Sequence, residues 1–149
     1  MTLTDTGPLV ALNKNDTAHQ RCTLILPSLR APMLTTWPCF TEAMYLLHRE
    51  IGYSAQEELW QWRLSGKLRI YELTTEQADR MQILMHKYRN APMDLADASL
   101  IAVAETLSLR TVFTDESRKA PRFIYGDIRL RVFPKTQYLW LAIYTKPLV

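Results

Sequence analysis

Short β-rich runs alternate with longer helical stretches along this chain, and that alternation narrows the fold more than any other feature. Residues 2–5 read as a short strand around Leu3, and Gly7-Pro8 opens a short helix, proline being tolerated in a first turn. Residues 17–29 read as a helix capped by Asp16 or Thr17. Residues 33–37 carry β-branched and aromatic side chains and end at Pro38, which marks a strand. Pro38 then starts a helix to Glu50, with Phe40, Ala43, Met44 and Leu47 at helical spacing. Ser54 and Glu57 have the spacing of a capping box, residues 68–73 form a strand, and Thr75 caps a helix to about Arg89. After the break at Asn90-Ala91-Pro92 come a strongly apolar helix over 94–107, a strand over 110–113 and a last strand over 128–133. Such alternation predicts an α/β fold: a three-layer α/β/α sandwich with a central, mainly parallel sheet. In open sheets of this kind ligands gather beyond the carboxyl ends of the strands.

With 149 residues, 48% of them apolar and 22% charged, the chain suits a single domain spanning 1–149 with one core. The net charge of +3 decides little, but its distribution is uneven. From Phe113 to Val149 there are seven Lys/Arg against three Asp/Glu, so the positive excess sits in the last quarter. This is a solvated basic edge or a phosphate-contacting surface. Cys22 and Cys39 have no metal-motif spacing, and no basic start followed by an apolar run suggests a signal peptide. A reduced, cytoplasmic protein is expected. The stretch YLWLAIY at 138–144 is too short to span a bilayer and reads as a strand or packed tail, so no membrane association is expected.

The predicted topology brings widely separated acids to one rim. Asp5 ends the first strand, Glu42 lies about one turn into the helix after the second, Asp94 and Asp97 open the apolar helix, and Asp115 and Glu116 follow the strand ending at Phe113. Asp94 and Asp97 share a helix face. Asp94 suits a simple N-cap as well as a site, whereas Asp97 lies further into an apolar stretch, where a carboxylate is costly without compensation. Clustered carboxylates repel one another, and a bound cation relieves that repulsion. Oxygen-only ligands select Mg²⁺ or Mn²⁺ over zinc, and phosphodiester cleavage is the chemistry such a site serves. His19, His48 and His86 lie in separate helices and read as surface or partly packed residues.

The run Asp5-Thr6-Gly7-Pro8-Leu9-Val10-Ala11-Leu12 resembles the opening of PIN-domain proteins. So do Thr35-Thr36-Trp37-Pro38 followed by Thr41-Glu42-Ala43, and the run from Pro92 through Asp94 and Asp97 to Ala102. Order and spacing agree over about residues 1–113. The resemblance implies a Mg²⁺- or Mn²⁺-dependent ribonuclease like the VapC toxins of bacterial toxin–antitoxin pairs, with RNA as substrate and a cognate antitoxin as partner. It places Asp5, Glu42 and Asp97 among the catalytic metal ligands, adds Asp94 as a further acid, and makes Thr6 a helper near the metal. The pattern departs after Phe113, where the family continues with a Thr, an Asp or Asn two residues on, and then an Asp-Phe pair. If Phe123 matches that Phe, Arg122 stands where the Asp belongs. Asp115 as a metal ligand, or Glu116 as an auxiliary, then substitutes from a shifted register, and 114–149 forms a diverged C-terminal portion.

Three other readings compete. Asp5-Thr6-Gly7 also spells the aspartic-protease triplet, but that fold is β-rich and this chain is dominated by helical segments. A DNA-directed nuclease would need the same acids. An inactive PIN-like binding protein would keep the fold without turnover. The Trp60/Trp62 pair and the 138–144 stretch suit a homodimer or antitoxin interface, or ordinary core.

Overall fold

The computed structural model describes residues 1–13, 17–90, 93–114, 124–125, 128–129 and 131–133. Its main sheet contains β1 (Thr2–Thr4), β2 (Met33–Thr36), β3 (Leu68–Tyr71), β4 (Thr111–Phe113) and β7 (Arg131–Phe133), in the order β3-β2-β1-β4-β7. Every pairing in it is parallel. Around it lie α1 (Thr6–Ala11), α2 (Thr17–Ile25), α3 (Trp37–Glu50), α4 (Tyr53–Leu64), α5 (Thr75–Lys87) and α6 (Leu95–Thr106). Two short strands, β5 (Ile124–Tyr125) and β6 (Ile128–Arg129), form a separate antiparallel pair.

Side chains alternate across the strands and divide the core into two faces. Leu3, Leu34 and Val112 pack with Met81 and Leu84 of α5 and with Leu100, Ile101 and Val103 of α6. On the other face, Met33, Leu68 and Ile70 pack with Leu9 of α1, Phe40 and Leu47 of α3 and Leu59 of α4, while α2 joins Phe113 through Cys22. The expected three-layer α/β/α arrangement is therefore present, with all of β1 buried between layers. Each fully buried leucine or valine contributes about 1.5–3 kcal/mol by leaving water.

The chain moves outward from β1 through β2 to β3, then crosses back to place β4 on the other side of β1. The direction of winding reverses between β1 and β4, which makes the carboxyl ends of those two strands the switch point of the sheet.

Several boundaries differ from expectation. Ser54 is not a cap: α4 begins one residue earlier, at Tyr53, and its N-cap is Gly52, whose φ of 113° suits glycine and which makes no side-chain cap. Thr74 rather than Thr75 caps α5, in a reciprocal capping box with Gln77. The helix over 17–29 ends at Ile25 and tightens into a 3₁₀ turn over Leu26–Ser28, where Pro27 supplies no backbone N–H. The single strand expected over 128–133 is two strands in two sheets. Trp60 and Trp62 are half-buried on the core, Trp60 edge-on to Phe40 with ring centroids 4.9 Å apart, as the ordinary-core reading expected. Asp16 and the stretch at 138–144 lie outside the described residues. Among the described residues no helix is long and apolar enough to cross a membrane.

Candidate active site

Asp5 follows directly on β1, and its backbone N–H extends the parallel ladder by donating to the Phe113 carbonyl at 2.9 Å. The extended backbone at Asp5 makes it the N-cap of α1, and its Oδ1 accepts from the Thr6 N–H at 2.7 Å. Its Oδ2 accepts from the Thr114 hydroxyl at 2.7 Å. Asp5 and Thr114 both have no exposed surface, and they stand one residue past β1 and β4, at the switch point. A carboxylate held there is expensive unless charge-assisted hydrogen bonds or a cation compensate it.

Thr6 links this acid to the next. Its hydroxyl donates to Glu42 Oε2 at 2.7 Å and lies 3.3 Å from the Cys39 carbonyl. Pro38 in the first turn of α3 allows the helix to start immediately after β2, which brings the Cys39 carbonyl and the Glu42 side chain to Thr6. Asp5, Thr6 and Glu42 thus meet as one cluster, and the aspartic-protease reading of the Asp5-Thr6-Gly7 triplet fails because the triplet opens a helix in a parallel α/β fold.

The second pair of acids opens α6. Asp94 is its N-cap, accepting from the Asp97 N–H at 2.9 Å, so the simple capping role is realised. Asp97 follows in the first turn, fully buried, and both of its carboxylate oxygens are withdrawn from water. The two acid pairs are joined through Cys39, whose thiol donates to the Ala96 carbonyl at 3.8 Å, one residue before Asp97. Burial, and then the charge of Asp5, pushes the Cys39 thiol up to about 12. Such a thiol stays protonated and acts here as a hydrogen-bond donor.

Among the described residues, no three Asp, Glu, His or Cys side chains lie close enough together to enclose an ion. The donor chemistry nevertheless fits a hard divalent cation, because the acids at the rim offer carboxylate oxygen, and Asp5 and Asp97 are both removed from solvent. Asp115 and Glu116 lie outside the described residues.

A family model for the PIN domain matches residues 2–123. The chain belongs to the PIN-domain family. Among solved structures, the Mycobacterium tuberculosis VapC20 toxin, which cleaves the sarcin–ricin loop, superposes with a TM-score of 0.75 at 17% identity, covering 84% of this chain and 97% of that one. A chain from a Klebsiella pneumoniae toxin–antitoxin complex superposes with a TM-score of 0.60 at 19% identity, covering 79% and 88%. No curated protein sequence matches.

In this PIN domain the residues that sequence reasoning missed are neutral. Thr114 had a signal, being the first residue past a strand expected to lie beside β1. Cys39 and Ser99 had none, because a small polar residue in an apolar helix declares its partner only after packing.

Proposed function

We propose that this PIN domain is a Mg²⁺- or Mn²⁺-dependent endoribonuclease and the toxin of a toxin–antitoxin pair. One observation carries the reading: Asp5 and Asp97 are completely buried carboxylates, and Asp5 stands at the topological switch point beside Glu42. The PIN family model and the fold shared with two toxin-system structures support it.

Asp5, Glu42 and Asp97 would hold the ion, with Asp94 as a further acid and Asp115 or Glu116 as the source of a fourth position. When bound, the ion would supply Lewis acidity for the phosphate and its attacking water. The chain's own residues have separable tasks. The Thr114 hydroxyl and the Thr6 N–H orient Asp5, taking one bond on each oxygen. An ionised carboxylate has about four acceptor sites, so these bonds are compatible with a cation on the same group. The Thr6 hydroxyl orients Glu42, and the Asp94 cap holds the first turn that carries Asp97. RNA is the substrate in this reading, a cognate antitoxin and a second copy of the chain are the protein partners, and the two buried cysteines suit a reduced cytoplasm.

Single-turnover cleavage of a structured RNA, with and without Mn²⁺, tests the proposal. Wild type should cleave only with metal. Asp5→Asn, Glu42→Gln and Asp97→Asn should each lose activity beyond the roughly 100-fold that loss of a supporting residue around a metal can cause. A catalytically impaired PIN-like binding protein is the second reading, favoured by the lack of an enclosed three-ligand group among the described residues. Folded wild type that cleaves RNA under no metal condition would select it, and metal-dependent cleavage of DNA alone would redirect the substrate.

A further inference from the structure

We infer that Thr36, Ser99 and Cys39 form a positioning device that sets Asp97 against Glu42, through the carbonyl of Ala96. The inference rests on the metal-site reading above.

Two contacts converge on one peptide of α6, and a third braces one of them. The Ser99 hydroxyl donates to the Ala96 carbonyl at 2.7 Å, and the Cys39 thiol donates to the same oxygen at 3.8 Å. The Thr36 and Ser99 hydroxyl oxygens are 2.6 Å apart. Because the single Ser99 proton is committed to Ala96, the Thr36 hydroxyl is the donor between them. Thr36, Cys39 and Ser99 are all without exposed surface.

Thr36 breaks a local rule to take part. It is the N-cap of α3, where a threonine hydroxyl ordinarily accepts from the N–H groups of the first turn, yet it makes no such bond. Its hydroxyl is spent instead on Ser99, in a different element. A forfeited cap signals a compensating gain elsewhere, and the gain is a link from the β2–α3 corner to the first turn of α6.

That corner also governs Glu42. The carbonyl of Cys39 lies 3.3 Å from the Thr6 hydroxyl that holds Glu42, while the thiol of the same residue reaches the peptide preceding Asp97. Cys39 and Thr36 therefore set the spacing between two acids on separate helices. A carboxylate site for a small hard ion tolerates little error in that spacing. These residues touch neither ion nor substrate, so their action is indirect.

The test uses the full chain with Mn²⁺ alone as probe, reading affinity by calorimetric titration and the metal-free melting temperature beside it. Thr36→Val with Ser99→Ala replaces both hydroxyls together, so neither is left buried without its partner and the fold should survive. The double variant should melt as a cooperative unit without metal but bind Mn²⁺ about 10-fold or more weakly, as losses of supporting residues around metals do. Thr36→Ser keeps the hydroxyl and should bind as wild type does. A folded double variant that binds Mn²⁺ as tightly as wild type overturns the inference and leaves the metal site standing. Wild type that folds but binds no Mn²⁺ overturns both. If the double variant does not fold, Cys39→Ala, which removes only the second donor to Ala96, replaces it: weakened binding supports the device, and unchanged binding overturns it.

Discussion

Asp5 illustrates how much one residue carries here. It follows a strand, caps a helix and accepts a hydrogen bond from the hydroxyl at the neighbouring strand's exit, all without exposed surface. Its charge also reaches Cys39, whose thiol is held up first by burial and then by Asp5. An unfolded chain would ionise that thiol near the ordinary value of 9.0, while the folded chain keeps the proton to about 12. Between those values the folded state holds a proton that the unfolded state has released, so rising pH favours unfolding. The thiol's share of stability is intact below pH 9 and is lost progressively toward pH 12. Urea midpoints measured across this alkaline range should therefore fall less steeply for Cys39→Ala than for wild type. Parallel slopes would mean that the thiol is not buried beside Asp5.

At the scale of elements, the capping residues decide where each helix begins and hence where its side chains point. Asp94 as N-cap puts Asp97 in the first turn of α6, where the positive end of the helix dipole offsets part of the cost of burying a carboxylate. Thr74 does the equivalent for α5, and its reciprocal bonds with Gln77 fix a side chain whose amide reaches Tyr71 and Thr106. Thr74→Ala should cost about 1 kcal/mol in chemical denaturation. Thr75→Ala, one residue inside the helix, should stay within about 0.5 kcal/mol. The reverse ranking would restore the cap to the position read from the sequence. That one-residue difference arises because two adjacent threonines both match a cap, and only the extended backbone at Thr74 separates them.

For the whole molecule, the reversal of strand order between β1 and β4 matters most, since it sets Asp5 beside Thr114, 109 residues away, with Glu42 reached through Thr6. Burying the carboxylates of Asp5 and Asp97 in that interior carries a desolvation cost that a bound ion would offset. Mg²⁺ or Mn²⁺ should therefore raise the melting temperature, by an amount equivalent to about 2.7 kcal/mol at 100 times the dissociation constant. Asp97→Asn should abolish most of that rise and stabilise the metal-free protein, by removing one charge. An equal metal response in both proteins would place the ion elsewhere.

Much of this was legible along the chain because it is local. Strand and helix alternation and the apolar stretch of the 94–107 helix, buried over 96–104, follow from periodicity, which neighbouring residues express without knowing the fold. Alternation alone implies a parallel sheet, with Asp5 just past one strand end and Glu42 in the helix that follows the next strand. The pairing of polar groups was not legible, because each partner lies far along the chain. Thr114 and Asp5 are 109 residues apart, Thr36 and Ser99 are 63 apart, and Cys39 and Ala96 are 57 apart. A buried hydroxyl or thiol must find a partner, but its sequence neighbours do not say which one, since the choice is made by strand order and by which helix faces meet. The sequence by itself determined the layers and named the acids; tertiary packing alone decided which neutral side chains hold those acids in place.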